Sequence, residues 1–90
     1  MIRYSQSRKD KNHNAIVVTL QKFGASVMDI STLGHGRPDI VIGFKGKNYL
    51  AEIKDEKGKL NDDQVLFSKL WLGSKIEVLR TSQDCVKLLF

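Results

Sequence analysis

The stretch Arg37–Lys59, RPDIVIGFKGKNYLAEIKDEKGK, decides how this chain is read. Two apolar runs, DIVIGF (39–44) and YLAEIK (49–54), flank the polar KGKN (45–48). The first run is strongly β-branched, which fits a strand, and the second reads as the next strand. Gly46 suits the first central position of a type II′ turn, so the runs read as a hairpin. Yet charge sits at the ends away from the turn. Asp39 opens the first run, and Glu52 and Lys54 close the second.

Register decides whether these charges meet. With Gly46-Lys47 as a two-residue turn, Lys45 faces Asn48, Asp39 falls opposite Lys54, and Val41 falls opposite Glu52. Opposed residues share a face, and alternation keeps i and i+2 together. Asp39, Glu52 and Lys54 then project from one face. Ile40, Ile42, Phe44, Tyr49, Ala51 and Ile53 form an apolar face on the other, the side for helix packing. Asp39 and Glu52 become a diagonal pair with backbones roughly 7–8 Å apart. Two readings of the cluster follow. The charges are solvated, with Lys54 paired to Asp39 across the ladder. Or the two carboxylates, which repel each other, hold a hard cation. Oxygen donors suit Mg²⁺, which needs only one or two protein carboxylates. Such an ion polarises phosphoryl oxygens or activates water, and Lys54 would steady the developing charge.

Working outward, NAIVVTLQKFG (14–24) sets Ile16, Leu20 and Phe23 on one helical face, with Gly24 as the stop. ASVMDIS (25–31) reads as a strand and TLGHGRP (32–38) as a loop. LNDDQVLFSKLWLG (60–73) is marked as a helix. Asn61 is its N-cap, Asp62 and Asp63 favour the positive end of its dipole, and Gln64 completes a capping box. Leu60 and Val65 form a staple, and Gly73 ends the helix. KIEVLRT (75–81) is a fourth strand, and SQDCVKLLF (82–90) a last helix capped by Ser82. The order is α-β-β-β-α-β-α.

Ninety residues make one domain, 1–90, whose first eleven residues form a flexible basic arm carrying Arg3, Arg8, Lys9 and Lys11. A domain this short buries only roughly 60–65% of its unfolded surface, so a second copy would add stability. The net charge of +5 favours a polyanionic partner. With one cysteine, Cys85, no internal disulfide forms, and its apolar surroundings make it a small buried hydrophobe. No apolar leader core and no run near the ~20 apolar residues of a membrane span is readable, so the expected location is the cytoplasm.

The segments RPDIVIG and YLAEIK resemble the PD-(D/E)xK nuclease signature: Pro38-Asp39, then Glu52-x-Lys54. More closely, residues 34–64, GHGRPDIVIGFKGKNYLAEIKDEKGKLNDDQ, are similar to the VRR-NUC group, whose small stand-alone members occur in bacteriophages and bacteria. The resemblance runs from about Asp10 to the last helix. It implies an α/β, restriction-endonuclease-like αβββαβ core with a short C-terminal helix. It implies a metal-dependent DNA endonuclease, selective for junctions or other branched DNA and acting as a homodimer. Asp39, Glu52 and the backbone carbonyl of Ile53 would bind Mg²⁺, with Mn²⁺ as a substitute. Lys54 would be catalytic and Gln64 a further active-site polar group, although Gln64 reads equally well as a capping residue. Group members usually add an acid or amide from the first helix. Asp10, Asn12 and His13 are the candidates here, and the absence of a glutamate is a departure. Arg37, Lys45, Lys47, Lys57 and Lys59 flank the cluster in sequence and would track a DNA backbone. The alternative is a non-catalytic nucleic-acid-binding or assembly module on the same fold.

Overall fold

Helix α1 (His13–Lys22) forms where Ile16 and Leu20 lie one turn apart, and both are buried. The computed structural model from which the fold is described covers residues 10–90, so most of the expected basic arm lies outside the described residues. Gly24 ends α1 at φ +97°. Its amide donates to the Gln21 carbonyl and that of Ala25 to the Leu20 carbonyl. These are the paired bonds of a Schellman cap, which require a left-handed residue at this position. Phe23 is not a core residue. It is 40% exposed and meets Phe90 edge to face, at 5.6 Å between ring centres.

Strand β1 (Ser26–Asp29) and a 3₁₀ turn (Ser31–Leu33) follow, then β2 (Ile40–Phe44) and β3 (Lys47–Ile53). Helix α2 (Asp62–Leu70) leads to β4 (Glu77–Leu79) and α3 (Ser82–Leu89). The four strands form one sheet in the order β1-β2-β3-β4. The first three pair antiparallel, and β4 joins β3 in parallel. A parallel neighbour needs a crossover connection, and the segment carrying α2 supplies it. The chain is a small mixed α/β domain, with the element order read from the sequence. Among the described residues no helix is long and apolar enough to cross a membrane.

The core lies on one face of the sheet. Ile16 and Leu20 of α1 pack with Ile40, Ile42, Ala51, Ile53 and Leu79 of the strands and Cys85 and Leu89 of α3. Phe44 and Tyr49 lie partly buried against this cluster. Cys85 is fully buried, and burial pushes its thiol pKa up, as expected of an inert apolar thiol.

The hairpin turn differs from expectation. Its central residues are Lys45 and Gly46, at φ +50° and +79°, with Phe44 opposite Lys47. Two positive φ values in succession define a type I′ turn, whose twist matches that of the strands. Lys45 adopts a conformation uncommon for its type, and its ammonium lies 5.2 Å from the Phe44 ring centre and 5.4 Å from that of Phe90. The observed register differs by two residues from the expected one. An even slip leaves every side chain on its face, so the apolar and charged faces stand as read.

Two helix ends also differ. Helix α2 stops at Leu70, where Trp71 turns extended and its ring stacks on Phe67 at 5.5 Å, rather than at Gly73. Helix α3 is capped by Thr81, not Ser82. A capping box needs an acceptor side chain three residues on, and Asp84 answers Thr81.

Candidate active site

The turn geometry brings β3 forward so that Asp39, just before β2, lies beside the end of β3. The Asp39 amide donates to the Ala51 carbonyl (3.0 Å), and the Ile53 amide donates to Asp39 Oδ2 (2.8 Å). The strand register ends with Ile40 opposite Ala51, and Asp39 bonds to Ala51 and Ile53 rather than pairing with Lys54. A hydrogen bond joins the Asp39 and Glu52 side chains, so the two carboxylates are immediate neighbours rather than a diagonal pair.

Glu52 is 4% exposed. Burial, then the adjacent Asp39 charge and a hydrogen bond to Asp39, push its pKa up to about 8, against a weaker opposing pull from Lys54. At neutral pH this favours the protonated form of Glu52, hydrogen-bonded to Asp39. Lys54 lines the same cleft. Among the described residues it makes no ion pair with a carboxylate, so the cross-strand pairing with Asp39 is not formed.

Gln64 serves two purposes with one amide. Its Oε1 accepts from the Asn61 amide (2.8 Å) while Asn61 Oδ1 accepts from the Gln64 amide (2.9 Å), closing the capping box. Its Nε2 donates to Glu52 Oε2 (2.7 Å). The cap fixes the oxygen, which aims the nitrogen at Glu52.

These groups share a cleft of about 540 Å³ between the strand ends, the 34–37 loop and the start of α2. Gly36 sets its width. A Cβ there would overlap the Asp63 carbonyl and lie 2.9 Å from the Gln64 amide nitrogen, so the loop seats backbone against backbone on the helix. Its φ of +79° independently requires glycine.

The candidates from the first helix divide. Asp10 lines the cleft, and its Oδ2 accepts from the Asp55 amide (2.7 Å). Asn12 does not line it: Nδ2 donates to the carbonyls of Lys54 (2.9 Å) and Arg80 (2.8 Å), and Oδ1 is buried with no partner among the described residues. His13 is 3% exposed, with Nε2 3.2 Å from Asp29 Oδ2, so it holds helix to strand and faces no substrate. Arg37 is exposed on the cleft wall, and Lys57 and Lys59 are exposed on the loop leaving β3. Lys45, within the turn, and Lys47, beside it, lie roughly 20 Å from Asp39 at ~3.3 Å per strand residue and do not line the cleft. Neighbours in sequence on a hairpin are distant in space when one lies at the turn and the other at the open end.

Nothing in the sequence singles out Arg80, since a lone arginine after a strand carries no motif. In the fold its Nη1 donates to the carbonyls of Asp55 (2.8 Å) and Gly58 (2.6 Å), which ties down the loop beside Lys54.

Two adjacent carboxylates with Ile53 on the same wall suit a hard cation that keeps most of its waters. A cation held between these two acids would take the place of the Glu52 proton. Among the described residues no group of three His, Cys, Asp or Glu side chains gathers. Comparison with protein-family models, curated proteins and solved structures finds no match.

Proposed function

We propose that the chain is a metal-dependent DNA endonuclease with a restriction-endonuclease-like core, the function its resemblance to the VRR-NUC group implies. The observation that carries this reading is the meeting of Asp39, Glu52, Lys54 and Gln64 at one cleft, with the acids hydrogen-bonded and the Lys54 ammonium in no ion pair among the described residues. Asp39 and Glu52 would hold Mg²⁺ or Mn²⁺, Glu52 giving up its proton to do so. The bound ion would supply Lewis-acid polarisation of a phosphoryl oxygen and a more acidic water. Lys54 stabilises negative charge developing on the scissile phosphate. Gln64 holds the Glu52 carboxylate in place from the capped end of α2. Arg37, Lys57 and Lys59 rim the site and track the sugar-phosphate backbone, which makes binding weaken steeply with salt.

Incubating labelled single-stranded, duplex, flap and four-way-junction DNA with Mg²⁺ or Mn²⁺ tests the reading. Cleavage that needs the metal and is lost in Asp39→Ala supports it, and preference for the junction supports the branched-DNA class. Binding without cleavage on every substrate would assign the chain to the non-catalytic nucleic-acid-binding class instead.

A second copy is the proposed protein partner, and α2 supplies the supporting surface. Gln64 points inward, while Val65, Leu66 and Leu70 on the opposite side are 38%, 55% and 67% exposed. Asp62 and Lys69 lie on that outward side near opposite ends of α2. Two such helices packed antiparallel would set Asp62 of each against Lys69 of the other, an isologous pairing. One helix pair is smaller than the ~800 Å² per partner of a standard interface, so association is expected to depend on concentration. Sedimentation should show Asp62→Lys and Lys69→Asp each weakening the dimer about tenfold, while their mixture restores it. No recovery on mixing would rule out this packing.

A further inference from the structure

The Lys54–Asp55 peptide is held at both of its polar groups by the segment that leads into α1. Asn12 Nδ2 donates to the Lys54 carbonyl at 2.9 Å, and Asp10 Oδ2 accepts from the Asp55 amide at 2.7 Å. The carbonyl and the amide belong to one planar unit, so bonds on its two sides fix its rotation. The same Asn12 nitrogen reaches the Arg80 carbonyl at 2.8 Å. The Lys54 amide donates to the Leu79 carbonyl at 3.1 Å. Beyond the peptide, Arg80 Nη1 holds the Asp55 carbonyl at 2.8 Å. The backbone that carries Lys54 is thus pinned just where β3 ends, a place where strands ordinarily fray.

We infer that Asp10 and Asn12 are positioning residues for the Lys54 ammonium and are not metal ligands. This inference rests on the nuclease reading of the cleft. Asn12 faces two carbonyls, so only its NH₂ end can serve there. Its Oδ1 is left buried with no partner among the described residues, and the side chain keeps that orientation regardless. An asparagine that does not line the cleft, with its Nδ2 bound to two carbonyls, is not placed to coordinate an ion there. Asp10 does border the cleft, but one of its oxygens is committed to the Asp55 amide, and its negative charge adds to the upward push on Glu52. Fixing the Cα and peptide of Lys54 sets the point from which its four side-chain torsions carry the ammonium into the cleft. Displacement of a catalytic group by about 1 Å costs on the order of 100-fold in rate.

The roles separate by conservative substitution. Asp10→Asn keeps an oxygen to accept the Asp55 amide and loses the charge a cation needs. Asp10→Ala loses both, and Asn12→Ala loses both donors. Single-turnover cleavage in saturating DNA and Mg²⁺ is expected near the wild-type rate for Asp10→Asn. A fall of about 10–100-fold is expected for Asp10→Ala and Asn12→Ala, with DNA affinity and the Mg²⁺ concentration for half-maximal rate unchanged. Hydrogen exchange at the Asp55 amide should quicken at least tenfold in both alanine variants, while the amides of Ile42 and Ala51 stay protected. Loss of activity in Asp10→Asn that extra Mg²⁺ restores would overturn the inference and make Asp10 a ligand. Faster Asp55 exchange with undiminished cleavage would overturn it too, leaving a purely structural clamp. Wild-type protein that cuts no DNA would end the nuclease reading. The amide exchange alone would still decide whether the clamp exists.

Discussion

Lys54→Ala is expected to lower single-turnover cleavage by about 10²–10³-fold while the protein folds and binds DNA nearly as before. The side chain is half-buried at the end of β3, and among the described residues it neutralises no carboxylate by an ion pair. Removing it therefore leaves no unpaired buried acid to destabilise the fold. Its charge is one of many basic groups on a chain of net charge +5, so DNA affinity falls little. Its contribution would appear as charge develops on the phosphate, where a preorganised cation acts at low dielectric. Lys54→Arg should recover little, because a planar guanidinium does not occupy the position of a compact ammonium. Cleavage by Lys54→Ala at the wild-type rate would remove the role assigned to this residue.

The second large effect concerns the metal-free protein and pH. Glu52 has a folded-state pKa of about 8, above the ordinary carboxylate value of 4.5. Between these values the folded chain holds a proton that the unfolded chain has released. Folding then takes up a proton, and stability falls as pH rises through the window, levelling off above about 8. A tenfold change in a carboxyl's proton affinity between the folded and unfolded chain is worth about 1.4 kcal/mol. Relaxation of the site and entry of water screen the buried charge and reduce the whole to about 2–3 kcal/mol. Denaturant unfolding at about pH 6 and about pH 9 should show somewhat more than half of that loss, the part below pH 6 being already gone at the lower point. Glu52→Gln keeps the neutral shape and should flatten the profile, making the variant the more stable protein on the alkaline side. Added Mg²⁺ should restore wild-type stability at alkaline pH and leave Glu52→Gln unchanged. A wild-type profile flat across the window would mean that Glu52 ionises freely and that the acid pair is not the proton store described.

Much of this arrangement is legible in the residues because it rests on period and local chemistry. Alternation places Asp39, Glu52 and Lys54 on one face, and that assignment survives a misplaced turn because the slip is even. Asn61 and Gln64 announce their capping box through spacing alone. Register is less accessible: Gly46 fits either central position of a two-residue turn, and the choice falls to Lys45, which accepts positive φ while lying over two aromatic rings. The roles of Asn12 and His13 depend on what lies across the fold. Asn12 meets carbonyls 42 and 68 residues away, and no local pattern encodes such partners. Gln64 shows a different limit, since its capping and site readings look like alternatives until the two ends of its amide are seen to act separately.

The backbone seat at Gly36 has a consequence for how the cleft can change. Where two main chains touch, there is no side chain to trim or enlarge, so the gauge of the cleft is not adjustable by substitution at that contact. Variation in what the cleft admits falls instead to exposed side chains such as Arg37 on its wall and to Lys57 and Lys59 on the loop leaving β3, which can be exchanged without disturbing the seat. The molecule thus separates a fixed aperture from a replaceable border. Altered substrate preference in variants of this chain should map to the border, while insertions at Gly36 should spread the aperture and pull Gln64 away from Glu52.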